Sequence, residues 1–147
     1  MLFRSGLVAI TPASGFVNVI GAIIIGLFVS VFCYIAVTII KPKFGYDDSL
    51  DAFGVHCVGG IWGALATGLF ATKMINSGGG NGLFYGNPHQ LLVQLYAVGA
   101  TIIYSGIGTL VICKVVDVIF GIRVNEEEET IGLDLTQHNE KAYTVLE

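Results

Sequence analysis

Three long runs of apolar residues most constrain what this chain can fold into. The runs 16–40, 52–72 and 91–113 contain no Asp, Glu, Lys or Arg. Each exceeds the roughly 20 residues that a helix needs to cross about 30 Å of hydrocarbon. We therefore predict three transmembrane helices, over about 16–40, 52–72 and 91–118.

The overall composition agrees with a membrane protein. Hydrophobic residues make up 54% of the chain and charged residues 12%, whereas a soluble domain usually carries about 25% charged residues. Residues 1–13 are also apolar but too short to span a bilayer, and no small-residue cleavage signal follows them. We interpret them as the truncated end of an earlier helix, and the chain as an all-α membrane protein.

The loop charges predict an orientation. Lys41 and Lys43 lie between the first two spans, whereas the Gly- and Asn-rich loop 73–90 carries only Lys73. Because loops rich in Lys and Arg stay in the cytoplasm, we place the first loop inside and the second outside. The tail 121–147 is then cytoplasmic.

The tail holds most of the acidic residues of a chain whose net charge is −4. Four consecutive glutamates, Glu126 to Glu129, precede Gly132, Leu133 and Asp134, a segment that mixes apolar and charged residues. This pattern favours a short ordered tail that docks on a partner. A solvated, mostly disordered tail is the alternative.

The second span carries the most informative residues. Asp51 is the predicted helix cap, with Ser49 as the alternative, because either side chain can accept hydrogen bonds from the first free N–H groups. Small residues then form one stripe with the histidine, at every fourth position: His56, Gly60, Ala64 and Gly68. An adjoining stripe contains Gly59, Gly63 and Thr67. Such spacing lets helices approach closely, so we expect this face, including His56, to be buried against protein.

A histidine within a membrane helix needs a polar partner or a hydrated path. A neutral imidazole offers one donor and one acceptor, so His56 could hold a small polar molecule or relay a proton. A packing role is the alternative. Trp62, in mid-helix, is predicted to fill a gap between helices.

Other chemistry finds no support in the sequence. The three cysteines, Cys33, Cys57 and Cys113, form neither a disulfide framework nor a metal-binding spacing. His56 has no nucleophile or carboxylate at catalytic spacing in its own span. We therefore expect no enzymatic activity, cofactor, metal or nucleic-acid partner.

The second span, DDSLDAFGVHCVGGIWGALATGLFA at 47–71, closely resembles the signature helix of the ammonium transporter (Amt) family. Three further blocks are similar to that family: GLVAITPASGFV at 6–17, NGLFYGNPHQLLVQL at 81–95, and GIRVNEEEETIGLDLTQHNEKAY at 121–143. The resemblance implies the C-terminal portion of the eleven-helix transporter fold. It corresponds to the end of the eighth helix, the ninth to eleventh helices and the tail.

The resemblance also implies a function. His56 is similar to the second of two pore histidines that hold ammonia, and Ala52, one turn away on the same face, should line the same route. Family members form homotrimers in the plasma membrane, surrounded by lipids. In bacterial members a tail of this kind contacts PII-type signalling proteins.

Two interpretations remain open. The chain could be part of an ammonium or ammonia channel that is incomplete alone, because its partner histidine would lie upstream. It could instead be a small stand-alone membrane subunit for interaction or assembly, with a regulatory acidic tail.

Overall fold

The computed structural model describes residues 2–140, so the end of the predicted tail, 141–147, lies outside the described residues. The first part of the chain begins with helix α1, Leu2–Ile10. Helix α2, Val19–Ile35, continues through a π-helical turn, Ala36–Ile40, into the short helix α3, Lys41–Phe44. Asn18 caps α2, because its side chain accepts a hydrogen bond from the Gly21 N–H at 2.9 Å.

A second π-helical turn, Phe53–Cys57, leads directly into helix α4, Val58–Phe70. After a loop with a 3-10 turn at Leu83–Tyr85, helix α5 runs from Pro88 to Phe120. At 1.5 Å per residue, α5 is about 50 Å long, more than a bilayer core requires.

The chain divides after Ile102 into two units, and each is described by itself. The second unit holds the remainder of α5 and two short helices, α6, Glu126–Ile131, and α7, Leu133–Thr136. The Asn125 side chain accepts the Glu128 N–H at 2.8 Å. Four glutamates in the first turn of α6 stabilise the helix, because their negative charges lie near the positive end of the helix dipole.

In the first unit, helices α1, α2 and α4 pack pairwise against one another. Their core is small and consists of these fully buried side chains: Ala9, Ala13, Ile25, Val29, Cys33 and Ala66. Trp62 lies between α4 and α2, with its ring centroid 4.9 Å from that of Phe32 and its Nε1–H donating to the Ile25 carbonyl at 3.0 Å. The predicted gap-filling role of Trp62 is thus confirmed.

Within residues 2–140, three helices are long and apolar enough to cross a membrane: Val19–Phe44, Phe53–Phe70 and Pro88–Phe120. Their residue ranges overlap those of the three predicted spans. Many large apolar side chains on them are exposed, and no residue of α5 is buried within the chain. Such surfaces suit lipid or further protein rather than water.

Candidate functional site

His56 lies in the second π-helical turn, next to the start of α4, and its side chain is exposed, as is that of Ala52. Within residues 2–140, no described element covers it. His56 is therefore not buried within the described residues, and the expectation that its face packs against protein stays a prediction. Inserted π turns are frequent at functional sites, because the extra residue redirects neighbouring side chains.

The two small-residue stripes of α4 differ in their surroundings. Gly59 and Gly63 are buried, and a Cβ on Gly63 would overlap the backbone of Ala9 in α1. Gly60, in contrast, has no atom of the described residues within 4 Å of the place where its Cβ would be, apart from its chain neighbours and the backbone of its own helix. Gly60 and Ala64 are half-buried. The contacts of α1 and α2 therefore fall on the Gly59 stripe and leave the side of His56 and Gly60 open.

Gly68, at the far end of α4, belongs to a different contact. It is buried, and a Cβ there would lie 3.0 Å from the Cα of Leu91, at the start of α5. The histidine stripe is thus buried at Gly68, half-buried at Ala64 and Gly60, and exposed at His56.

The π-helical turn that holds His56 packs against the π-helical turn that ends α2. A Cβ on Gly54 would lie 2.6 Å from Cγ2 of Val37, so glycine permits this close approach. One turn earlier on α2, the Cys33 thiol donates to the Val55 carbonyl at 3.8 Å. The backbone on both sides of Val55 is therefore fixed by α2 and its extension.

The cap of the His56 helix is Asp48 and not Asp51. The Asp48 carboxylate accepts the Ala52 N–H through Oδ1 and the Phe53 N–H through Oδ2, each at 2.8 Å. Asp51 instead accepts from Nζ of Lys41 at 2.7 Å. The predicted cap, Asp51, lies three residues after the observed one. Asp51 adopts a left-handed conformation (φ 55°) that turns it towards Lys41.

Lys41 holds this loop by two contacts. Besides the ion pair with Asp51, its Nζ donates to the main-chain carbonyl of Asp48 at 2.6 Å. In the sequence, Lys41 indicates only the orientation of the loop. Its spacing of ten residues from Asp51, across a turn, gave no signal of a pair.

The tail residues Gly132, Leu133 and Asp134 lie at the junction of α6 and α7. Gly132 has φ 108°, a conformation that favours glycine. The Asp134 carbonyl accepts the Glu140 N–H at 2.8 Å, which closes the chain after α7. Across residues 2–140, no three His, Cys, Asp or Glu side chains lie close enough together to hold a metal ion.

Comparison with known proteins gives the family. The model of the Ammonium Transporter Family matches residues 4–143. The chain belongs to the ammonium transporter family. It is 53% identical over 139 residues to an ammonium transporter of Bacillus subtilis (strain 168), covering 95% of this chain and 34% of that protein. It is 57% identical over 141 residues to an ammonium transporter of Aquifex aeolicus (strain VF5), covering 96% and 33%.

Solved structures support the same fold. The chain matches Saccharomyces cerevisiae Mep2 with a TM-score of 0.77 at 30% identity, covering 84% of this chain and 29% of that one. Candida albicans Mep2 gives a TM-score of 0.77 at 34% identity, covering 85% and 29%. The predicted family and all-α membrane fold class are confirmed. The chain spans about a third of the length of these relatives.

Proposed function

We propose that this chain forms part of a transporter channel that conducts ammonia derived from ammonium, with His56 and Ala52 on the wall of the route. The observation that carries this proposal is the open stripe of α4. In a member of the ammonium transporter family, an exposed imidazole beside small residues provides a polar group and the space for a small molecule.

The chemistry of the imidazole suits this cargo. An ammonium ion is costly to dehydrate in a low-dielectric path, whereas neutral ammonia is not. A neutral histidine can accept a hydrogen bond or a proton without placing permanent charge in the path. Potassium has no proton to lose, so a route that requires deprotonation would exclude it.

The route needs more than the elements described in residues 2–140. His56 is exposed, and three spans do not enclose a channel, so further helices must cover the open stripe. We infer that these helices are supplied by sequence corresponding to the other two thirds of the relatives. The proposed assembly is a homotrimer in the plasma membrane, in contact with lipids.

We also propose a cytoplasmic position for the tail. Lys41 and Lys43, both in α3, support this position by the positive-inside rule. Gly132, Leu133 and Asp134 are then accessible to a soluble partner of the PII type.

A hybrid protein tests the transport proposal. Residues 4–143 of this chain replace the matching third of the Bacillus subtilis relative, in cells that lack other ammonium transporters. We expect the hybrid to take up labelled methylammonium, while this chain alone and the remainder of the relative alone do not. Uptake by this chain alone would contradict the account of the route. A correctly inserted hybrid without uptake would favour a stand-alone interaction subunit.

A further inference from the structure

The loop between α3 and the second π-helical turn is tied at a single lysine. Nζ of Lys41 lies 2.7 Å from Oδ1 of Asp51 and 2.6 Å from the main-chain oxygen of Asp48. The Lys41 and Asp51 side chains are only 27% and 20% exposed. Since partial burial reduces screening by solvent, this ion pair is better suited to fix a geometry than an exposed pair is.

The same loop fixes the first turn of the His56 helix. Asp48 is held by Lys41 through its main chain, while its side chain accepts the Ala52 and Phe53 N–H groups. Phe53 is the first residue of the π-helical turn, and His56 follows three residues later. A displacement of Asp48 therefore acts directly on the backbone that precedes the imidazole.

Asp51 adds a second connection. Its backbone is left-handed, which an L residue other than glycine adopts only at a cost, although Asp tolerates it better than most. Such strain persists where surrounding contacts fix it. Here the Asp51 carbonyl accepts the Val55 N–H at 3.0 Å, adjacent to His56, while Lys41 holds its carboxylate.

On its opposite side, the backbone of the second π-helical turn is held in place by α2 and its extension. Gly54 lies close to Val37, and the Val55 carbonyl faces the thiol of Cys33. The turn is thus held by α2 on one side and by the lysine and aspartates on the other. The side chain of His56 itself has no hydrogen bond or ion pair within residues 2–140, so its direction depends on this backbone.

We propose that Lys41, Asp48 and Asp51 are positioning residues for His56. They set the π-helical turn and thereby aim the imidazole along the open stripe of α4. This inference rests on the proposed function for its consequence in transport, but its structural content concerns His56 alone. None of the three side chains needs to touch the cargo.

A spectroscopic test addresses the positioning itself. In the full chain in lipid nanodiscs, the imidazole nitrogens give nuclear magnetic resonance signals, and His56→Gln identifies those of His56. We expect Lys41→Met and Asp51→Gly to shift or broaden the His56 signals while those of His89 and His138 stay unchanged. Asp51→Gly keeps the left-handed backbone accessible, so its effect reports the carboxylate.

Neighbouring residues provide the matched controls. Lys43→Met and Asp47→Asn remove the same charges from exposed side chains, and both should leave the His56 signals in place. Lys41→Arg keeps the ion pair and should restore them. Unchanged His56 signals in both Lys41→Met and Asp51→Gly would overturn the proposal, and circular dichroism verifies that each variant keeps its helices.

The hybrid protein tests the consequence for transport. At equal abundance in the membrane, Asp51→Gly and Lys41→Met should lower the maximal rate of methylammonium uptake at least about 10-fold, since small misplacements of a functional group have effects of this size. Lys41→Arg should recover most of the rate. Undiminished uptake in both variants would contradict the inference, whereas failure of the unsubstituted hybrid contradicts the proposed function and leaves the spectroscopic test decisive.

Discussion

Two stripes of α4 that lie side by side have opposite surroundings. The Gly59 and Gly63 stripe meets α1 and α2 so closely that a single added carbon at Gly63 would overlap main chain. The neighbouring stripe is exposed at His56 and half-buried at Gly60 and Ala64, and within the described residues it is buried only at Gly68. Small residues thus serve two purposes on one helix: close packing on one side and unfilled space on the other.

The largest expected effect separates the two stripes by the same substitution. Gly63→Ala should lower the free energy of unfolding of this chain by about 3 kcal/mol, the upper range for overpacking, because the backbone of Ala9 cannot move aside as a side chain can. Gly60→Ala should change it by less than about 1 kcal/mol. Unfolding in mixed detergent micelles measures both, and equal losses would remove the distinction between the stripes.

A smaller loss is expected at Gly54, where the obstacle is a side chain. Gly54→Ala should lower the free energy of unfolding by about 1–2 kcal/mol, since Cγ2 of Val37 must rotate away. The double variant with Val37→Ala should be less destabilised than the sum of the single changes. Strict additivity in this double-mutant cycle would show that the two π-helical turns do not meet as described.

The smallest effect concerns the helix cap. Asp48→Ala should lower the free energy of unfolding by about 1 kcal/mol, the usual cost of losing a capping side chain. Asp47→Ala, which removes a carboxylate from an exposed neighbouring residue, should change it by less than about 0.5 kcal/mol. If Asp47→Ala has the larger effect, the assignment of the cap to Asp48 is incorrect.

The sequence predicts the helices well, because long uncharged runs have few alternatives. It is less informative at their ends. Asn18 caps α2, so the helix starts at Val19 and not at residue 16, and α5 starts earlier than residue 91, at Pro88. Proline at the first helical position is a recognisable start signal.

The site is predictable only in part. The spacing of small residues identifies both stripes of α4, but periodicity alone cannot tell which stripe α1 contacts, since the two differ by only about 60° around the helix. The π-helical turn also has no signature in the sequence. The ion pair between Asp51 and Lys41 could not be predicted, because it depends on the left-handed backbone of Asp51 in the loop.

We propose that the open stripe forms the wall of an ammonia route with His56 as its polar group. Uptake of labelled methylammonium by the hybrid protein, with and without competing potassium, tests it most directly. We predict that His56→Ala abolishes uptake or makes it sensitive to potassium, whereas His89→Ala, in the first turn of α5, does neither. An unchanged rate together with unchanged exclusion of potassium in His56→Ala would contradict this proposal and leave His56 a surface residue of the second π-helical turn.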